Sequence, residues 1–417
     1  MTAVVTGPPA RRAAAPGVES GAARPAGRLA GWLEHPLASY NLVTGATALL
    51  LAFGLVMVLS ASSVTALHKH GSAFFVFSNQ VQWALIGVSV FLAARRLPIR
   101  FFRVIGYPAL LVSLVLMVLV MFYGTEVSGA TRWLVVGPIQ IQPSELMKLS
   151  LLLWGADLLA RKEKLMHQPK HILVPFLPLV LVATLLTLAQ KDLGTTLVIA
   201  IIAWSLLWTV GTPGRILAGI SSLGLAAVTM LAVVEPYRFD RISSWWNASS
   251  RADGKSYQYL QGLAGLASGG WVGFGLGQSR QKWGYIPNQD TDFIFSIIGE
   301  ELGLVGTLVV VALFSLLAYT GVRVARRAPD PFSRLAASAI TAWMVGQAII
   351  NMAAVLGLVP ITGIPLPLIS FGGTSLIVTL FALGMLASIA RREPGAPALW
   401  AQRRRLRAML PRRRATT

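Results

Sequence analysis

The stretch Gly284-Tyr-Ile-Pro-Asn-Gln-Asp-Thr-Asp-Phe-Ile-Phe-Ser-Ile-Ile-Gly-Glu-Glu-Leu-Gly303 leads from a polar loop directly into a long apolar run. Acidic side chains stand on both sides of this junction, at positions 290, 292, 300 and 301. Carboxylates at the mouth of a membrane helix cost free energy to place there, and they usually serve a function. The stretch therefore predicts a membrane helix that begins near residue 293 and a catalytic or ligand site at the membrane surface.

The composition of the whole chain predicts the same setting. Of its 417 residues, 55% are hydrophobic and 12% are charged, with a mean hydropathy of +0.65. A soluble domain has about 25% charged residues, so an all-α polytopic membrane protein is predicted. The net charge of +20 comes from short basic segments between apolar runs and from the tails, which favours contact with membrane lipid and argues against nucleic acid. The absence of cysteine excludes disulfides and thiol catalysis.

About ten segments are long and apolar enough to cross a bilayer, each approaching the roughly 20 residues that a span requires. They lie near 41–63, 74–94, 102–123, 144–160, 171–189, 195–213, 216–234, 293–322, 335–358 and 368–390. Residues 41–390 are thus predicted to form one membrane domain, with a large loop at about 235–292 between spans seven and eight. Residues 1–40 are expected to be a disordered tail, and residues 391–417 a basic tail.

The basic residues predict the orientation. Most of the lysines and arginines between spans lie in the connections after spans two, four, six and eight, and both tails are also basic. Short connections rich in Lys and Arg remain in the cytoplasm, so both termini are predicted to be cytoplasmic. The motif at 284–303 then lies on the extracytoplasmic face, where ATP is absent. An enzyme there needs a substrate that is already activated, whereas a transporter needs an ion gradient.

Four motif segments are predicted to converge on that face, and together they carry a family resemblance. They are Gly129-Ala-Thr-Arg-Trp133 with Gln142-Pro-Ser-Glu145 and Lys148, Lys191-Asp-Leu-Gly-Thr-Thr196, the long loop ending in Asp292, and Pro360-Ile-Thr-Gly-Ile-Pro-Leu-Pro-Leu-Ile-Ser-Phe-Gly-Gly-Thr-Ser375. The chain resembles the SEDS family (shape, elongation, division and sporulation) of membrane peptidoglycan glycosyltransferases over about residues 40–390. The run from Gly275 to Trp283 is more similar to the division branch of that family.

The resemblance implies that Asp292 is the catalytic residue, a general base that takes the proton from the attacking sugar hydroxyl. The residues alone equally allow Asp292 to be the N-cap of the following helix. Two positions earlier, family members commonly carry His, and this chain has Asp290. The negative charge of Asp290 is expected to raise the pKa of Asp292, although a solvated loop acid is the simpler interpretation.

Seven further residues are candidates for substrate binding: Arg132, Lys191, Asp192, Arg241, Lys282, Glu300 and Ser370. Guanidinium groups grip phosphate oxygens in a bidentate way, so Arg132 is expected to bind a pyrophosphate. Arg241 and Lys282 are expected to neutralise the same leaving group, with exposed, non-specific charge as the alternative.

For the other four candidates a structural role is an open alternative. Lys191 and Asp192 occupy a tight hairpin whose turn Gly194 is expected to relieve. Glu300 either lines a substrate cavity or is buried against a partner. Ser370 opens the last span, either as a packing residue or as part of a phosphate site at a helix N-terminus. Glu145 and Lys148 are expected to form an i, i+3 ion pair with a structural role.

The resemblance implies a lipid II polymerase of cell division, with a class B penicillin-binding protein and other divisome proteins as partners. No nucleotide is required, and basic residues are expected to stabilise the leaving group, with a divalent cation such as Mg²⁺ or Mn²⁺ as the one candidate cofactor. A lipid II flippase and a scaffold without chemistry are the alternatives, since ten spans with intramembrane acids suit a transporter as well. No internal repeat of the kind typical of transporters is evident in the sequence.

Overall fold

The structure is a computed structural model, and it describes residues 35–127, 130–137, 139–163, 174–234, 245 and 255–409. The chain divides into Met1–His35 and Pro36–Thr417. Only His35 of the first part is described, and every element named below lies in the second part.

The described residues form twelve α-helices and one small sheet, and ten of the helices coincide with the ten predicted apolar segments. The helices are α1 Ala38–His70, α2 Phe75–Ala94, α3 Ile99–Tyr123, α4 Pro143–Lys162, α5 Phe176–Ala189, α6 Leu193–Thr209, α7 Gly214–Val234, α8 Lys255–Ser268, α9 Ile294–Arg327, α10 Pro331–Val355, α11 Gly373–Ala390 and α12 Ala396–Met409. Six of these described helices, α1, α2, α3, α9, α10 and α11, are long and apolar enough to cross a membrane. The helical membrane fold is therefore confirmed, and the count of ten spans stays a prediction.

Pairwise helix packing builds the core. Helix α11 packs along α2, α3 packs along α4, and α9 packs against both α1 and α10. Helices α4, α10 and α11 have the most buried surfaces, whereas α3 leaves a broad apolar face exposed. An exposed apolar face is the expected surface of a protein that is surrounded by lipid.

Helix α9 is broken one turn beyond its acidic pair, at Gly303. Gly303 takes φ +65° and ψ −160°, and a Cβ there would lie 2.5 Å from the backbone nitrogen of Gly273. The loop after α8 fills the break. Four backbone bonds of 2.9–3.2 Å join them, from Phe274 N to Glu300 O, Gly275 N to Glu301 O, Leu304 N to Gly270 O and Val305 N to Trp271 O. The loop thus satisfies the groups that the break would leave unpaired in a membrane.

A three-stranded antiparallel sheet follows α3, and the all-α prediction missed it. Its strands are β1 Thr125–Val127, β2 Ala130–Val136 and β3 Ile139–Ile141, in the order β1-β2-β3. Two of the strands have only three residues, too few for alternation to be visible in a sequence, and the seven-residue β2 does not alternate strictly between apolar and polar residues. The sheet matters because β2 carries Arg132.

The C-terminal segment also differs from the predicted tail. Helix α12 lies within residues 391–417, and the ring of Trp400 packs edge-on against Tyr40 at 5.4 Å. Glu393, just before α12, is buried and accepts a hydrogen bond from Ser39 Oγ at 3.0 Å. The described part of this segment therefore packs onto the start of α1. The prediction for residues 1–40 lies mostly outside the described residues.

Candidate functional site

Three consecutive backbone hydrogen bonds hold Asp292 in place at the entrance to α9. The carbonyl of Asp290 accepts from Phe371 N at 2.9 Å, and the carbonyl of Thr291 accepts from Ser370 Oγ at 2.6 Å. The carbonyl of Asp292 accepts from Asn351 Nδ2 at 2.8 Å. These bonds fix the backbone of residues 290–292, so they also fix the point from which the Asp292 side chain extends. The N-cap position of α9 belongs to Phe293, which makes no side-chain cap, and Asp292 is the residue before it.

The segment between α10 and α11 brings Asp292 next to Arg132. Asn351 also donates to the carbonyl of Ile364 at 2.7 Å, and so ties this segment to the Asp292 loop. Gly363, the residue before Ile364, takes φ +70°. A Cβ on Gly363 would lie 3.5 Å from Asp292 Oδ2 and 4.0 Å from Arg132 Nη1. The carboxylate and the guanidinium, separated by 160 positions in sequence, therefore face one small space around Gly363.

Arg132 joins this space to the turn between α5 and α6. Its Nη2 donates to the carbonyl of Lys191 at 3.0 Å, and its Nη1 lies 3.7 Å from Asp192 Oδ1. The Arg132 side chain remains 16% exposed, and Lys191 is exposed. Four of the predicted site residues, Asp292, Arg132, Lys191 and Asp192, thus lie together, and the Arg132 guanidinium faces the same space as the Asp292 carboxylate.

Asp192 has a structural role within this group. Its carboxylate accepts from Thr195 N at 3.1 Å and from Thr195 Oγ1 at 2.8 Å, which makes it the N-cap of α6. The expectation that Gly194 relieves the turn was wrong, because Lys191 takes the left-handed conformation, with φ +58°. Gly194 instead allows close approach, since a Cβ there would lie 2.5 Å from the side chain of Ile364. The glycine thereby lets the Gly363 segment approach α6.

Two polar atoms at the site are buried and have no hydrogen-bond partner within the described residues. They are Arg132 Nε and Thr362 Oγ1. The Arg132 guanidinium lies close to Gly363 in space, and Thr362 precedes Gly363 in sequence. Buried polar atoms are nearly always paired in native structures, so an unpaired set needs an explanation. Binding of a polar ligand at this place would provide one.

Glu300 and Lys282 are placed differently from the sequence prediction. Glu300 is buried and accepts from Ser279 Oγ, from Arg280 N at 2.9 Å and from Gln281 N at 3.4 Å. Lys282 is buried too, where its Nζ donates to Gly277 O and lies 3.7 Å from Glu301 Oε1. Both side chains therefore bind the polypeptide that leads into the Asp292 loop, and these contacts favour positioning roles over direct contact with substrate.

Ser370 has a similar place. Its hydroxyl donates to Thr291 O and accepts from Leu366 N at 2.8 Å, so both of these bonds go to backbone. Ser370 therefore connects the segment that leads into α11 to the loop that carries Asp292. Arg241 lies outside the described residues, and its predicted role stays a prediction.

The buried ion pair of Glu145 and Lys148 is connected through Gln347 to the segment that carries Gly363. Lys148 Nζ lies 2.7 Å from Glu145 Oε1 and 3.4 Å from Gln347 Oε1, and it stacks over Trp343 at 5.1 Å. Gln347 in turn donates to the carbonyl of Pro365 at 2.9 Å. The i, i+3 pair is therefore present, and it continues through α10 to the segment that carries Gly363.

Asp290 lies in the loop and is half-buried. Burial raises the pKa of its carboxyl group, while a hydrogen bond with its own backbone and the charge of Lys69 partly oppose that rise. A carboxyl group that holds its proton more tightly has less negative charge to exert on Asp292. The influence expected of Asp290 therefore appears only above its own raised pKa.

No group of three His, Asp or Glu side chains that would suit a metal ion occurs in the part of the chain that the structure describes. Sequence reasoning gave no role to Asn351, and it gave no individual role to Thr362 and Gly363, although both lie in the predicted segment 360–375. Asn351 had a visible signal, since it is an amide within an otherwise apolar predicted span. Gly363 had none, because its role depends on contacts between distant segments.

The comparisons with known proteins identify the family of this chain. Residues 40–394 match the cell cycle protein family FtsW/RodA/SpoVE. The "Probable peptidoglycan glycosyltransferase FtsW" of Mycobacterium tuberculosis is 44% identical over 380 residues, covering 91% of this chain and 72% of that protein. Stage V sporulation protein E of Bacillus subtilis is 37% identical over 347 residues, covering 83% and 95%.

Solved structures show the same fold. A chain of a peptidoglycan synthase complex that coordinates polymerization and crosslinking superposes with a TM-score of 0.70 at 28% identity, covering 85% of this chain and 98% of that one. The rod shape determining protein RodA of Thermus thermophilus superposes with a TM-score of 0.62 at 28% identity, covering 84% and 96%.

Proposed function

Since the chain belongs to the FtsW/RodA/SpoVE family of cell cycle proteins, we propose that it is a peptidoglycan glycosyltransferase that polymerises lipid II into glycan strands. The observation that carries the proposal is the convergence of Asp292 and Arg132 on Gly363. A base and a phosphate-binding cation side by side are what transfer from a pyrophosphate-linked sugar requires.

The proposed reaction inverts the donor sugar. Asp292 takes the proton from the 4-hydroxyl of the acceptor disaccharide, and the oxygen attacks the anomeric carbon of the donor. The bond from that carbon to the pyrophosphate oxygen breaks as the new glycosidic bond forms on the opposite face. Undecaprenyl pyrophosphate leaves with the bonding electron pair. The donor sugar is already activated by its pyrophosphate leaving group, so no nucleotide is needed.

Arg132 and Lys191 are the proposed partners of the departing pyrophosphate. Arg132 is part-exposed with a buried, unpaired Nε, and the exposed Lys191 lies on the same turn. Preorganised cations at the position where charge develops lower the barrier most effectively. Asp192, Glu300, Lys282 and Ser370 act on the reaction by holding these elements, and Arg241 is proposed as a further cation.

The proposed setting is the cytoplasmic membrane, with ten spans and both termini in the cytoplasm. The connection at 235–292 and the Asp292 site then face outward, the arrangement that the basic connections favour. The relatives named FtsW support a role at the division septum with other divisome proteins. The synthase complex that couples polymerization to crosslinking supports a class B penicillin-binding protein as partner.

Reconstitution into sealed vesicles that contain labelled lipid II tests the proposal against its two alternatives. The expected result is a ladder of glycan polymer that disappears in Asp292→Ala. Translocation of lipid II without polymer would instead make the protein a flippase. The absence of both activities, with and without a penicillin-binding protein, would leave only a scaffold.

A further inference from the structure

A second polar cavity lies at the opposite end of the helix pair α2 and α11 from the Asp292 site. Near Asp292, Gln80 of α2 donates to Ser370 O at 3.3 Å and accepts from Gly372 N at 3.3 Å. Helices of 20 and 18 residues then run from this end to the cavity. A 20-residue helix spans about 30 Å, the thickness of the hydrocarbon core. The cavity therefore lies at the other membrane interface.

Four arginines surround this cavity of about 460 Å³, and no acidic side chain lines it within the described residues. Arg95 and Arg96 come from the end of α2, and Arg391 and Arg392 come from the end of α11. Glu393 is next in sequence, but its carboxylate is buried against Ser39 Oγ at 3.0 Å. The positive charge of the cavity is therefore not cancelled from within its wall.

The arginines are held by contacts that fix the cavity's shape. Arg95 Nη1 donates to Tyr40 Oη at 2.9 Å, and Arg391 Nη1 donates to Arg95 O at 3.0 Å. The guanidinium of Arg391 stacks over the ring of Trp400 at 4.6 Å. Arg96 and Arg392 are exposed at the rim. Such a wall presents fixed cations in the interior and adaptable cations at the entrance.

The remaining lining suits a ligand that is partly apolar. Leu97, Pro397, Trp400 and Ala401 form the rest of the wall together with Ser388. Tryptophan is enriched at the level of lipid headgroups because its ring is both apolar and polar. A soluble phosphate would gain nothing from this surface, whereas the glycerol backbone and upper acyl chain of a lipid would be buried against it.

We propose that this cavity binds the phosphate headgroup of an anionic phospholipid. Basic pockets between membrane helices are suited to such headgroups, and guanidinium groups bind phosphate oxygens in pairs. The bound lipid would join the ends of α2 and α11 to α12. This site is separate from the proposed transferase site, and the proposal does not depend on that activity.

The test measures lipid binding to the full-length protein in neutral detergent by native mass spectrometry, with phosphatidylglycerol, cardiolipin and phosphatidylcholine as separate probes. The two anionic lipids are expected to bind and phosphatidylcholine is not. The variant Arg96→Gln/Arg392→Gln is expected to bind phosphatidylglycerol about 30-fold more weakly, the product of about five-fold for each arginine near an anionic lipid.

A matched control keeps the test specific. Arg100 and Arg326 are exposed in other helices and do not line the cavity. Arg100→Gln/Arg326→Gln has the same net charge as the cavity variant and is expected to keep binding within about two-fold of wild type, because charge outside the cavity makes no direct contact. Thermal unfolding in neutral detergent is expected to match among the three proteins, because the substituted side chains are exposed.

Two results would overturn the proposal. One is equal loss of anionic lipid in the two double variants, which would mean a diffuse charge effect. The other is displacement of phosphatidylglycerol by millimolar glycerol 3-phosphate, which would identify the cavity as a site for soluble phosphate.

Discussion

The substitution Asn351→Leu removes the side-chain contact that holds the backbone of Asp292. The Asn351 amide donates to the carbonyls of Asp292 and Ile364, and Asn351 is 2% exposed. Leucine has a similar size and no donor, so both carbonyls lose their partner. An unsatisfied buried carbonyl costs about 1–3 kcal/mol, and the Asp292 carbonyl is only part-buried, so destabilisation of about 2–4 kcal/mol is expected.

The larger effect is expected on catalysis. A shift of about 1 Å in a positioned group costs about 100-fold in rate, so kcat for lipid II polymerisation should fall by about that factor. The KM for lipid II should change little, because Asn351 contacts the loop that carries Asp292 and the segment that carries Ile364. The assay is a time course of glycan polymer with purified protein, together with thermal unfolding of the same preparation.

Thr341→Val provides the control on the same helix. The Thr341 hydroxyl bonds only to Ala337 O of its own helix, at 2.7 Å, so wild-type kcat is expected. If Asn351→Leu is folded and its kcat equals that of the control, the position of Asp292 does not depend on this contact, and the reasoning is refuted.

Three further substitutions test separate parts of the account. Gly303→Ala places a Cβ 2.5 Å from a backbone nitrogen at φ +65° and should lower the unfolding temperature, whereas Gly45→Ala, which meets open space, should not; equal temperatures would contradict the helix break. Asp290→Asn tests the half-buried carboxyl group: because burial raises its folded pKa, the wild type should lose stability as pH increases from the ordinary carboxyl range through that pKa. The stability of the variant should depend less on pH over the same range, so parallel curves would refute the assignment. Arg132→Gln should reduce kcat/KM by about 10- to 100-fold through loss of a charge-assisted phosphate contact of about 1.5–3 kcal/mol, and an unchanged value would exclude Arg132 from the substrate site.

The sequence predicted the helices well because membrane spans have a strong local signal. Each of α1 to α7 and α9 to α11 corresponds to an apolar run that can be read from composition. The sheet at 125–141 was missed because two of its strands have three residues and the seven-residue β2 does not alternate strictly. The helix α12 was missed because a helix rich in arginine lacks the signal of an apolar run.

The site was predicted in part, and the reason differs by residue. Arg132 and Asp292 were found through motifs, and the structure places them around Gly363. Glu300 and Ser370 carry the right chemistry, but Glu300 bonds to residues 279–281 and Ser370 bonds to the backbone of Thr291 and Leu366. A sequence shows which side chains could bind a ligand. Whether the protein already uses those side chains for its own hydrogen bonds depends on long-range contacts.

The central claim is that the Asp292 carboxylate removes the proton from the acceptor sugar. Its most direct test is the single-turnover rate of glycosidic bond formation by Asp292→Asn, a substitution of nearly equal size without the base. With lipid II binding and thermal unfolding unchanged, the rate should fall by about 10²–10⁴-fold, the usual contribution of a general base. A rate within a few-fold of wild type would contradict the account.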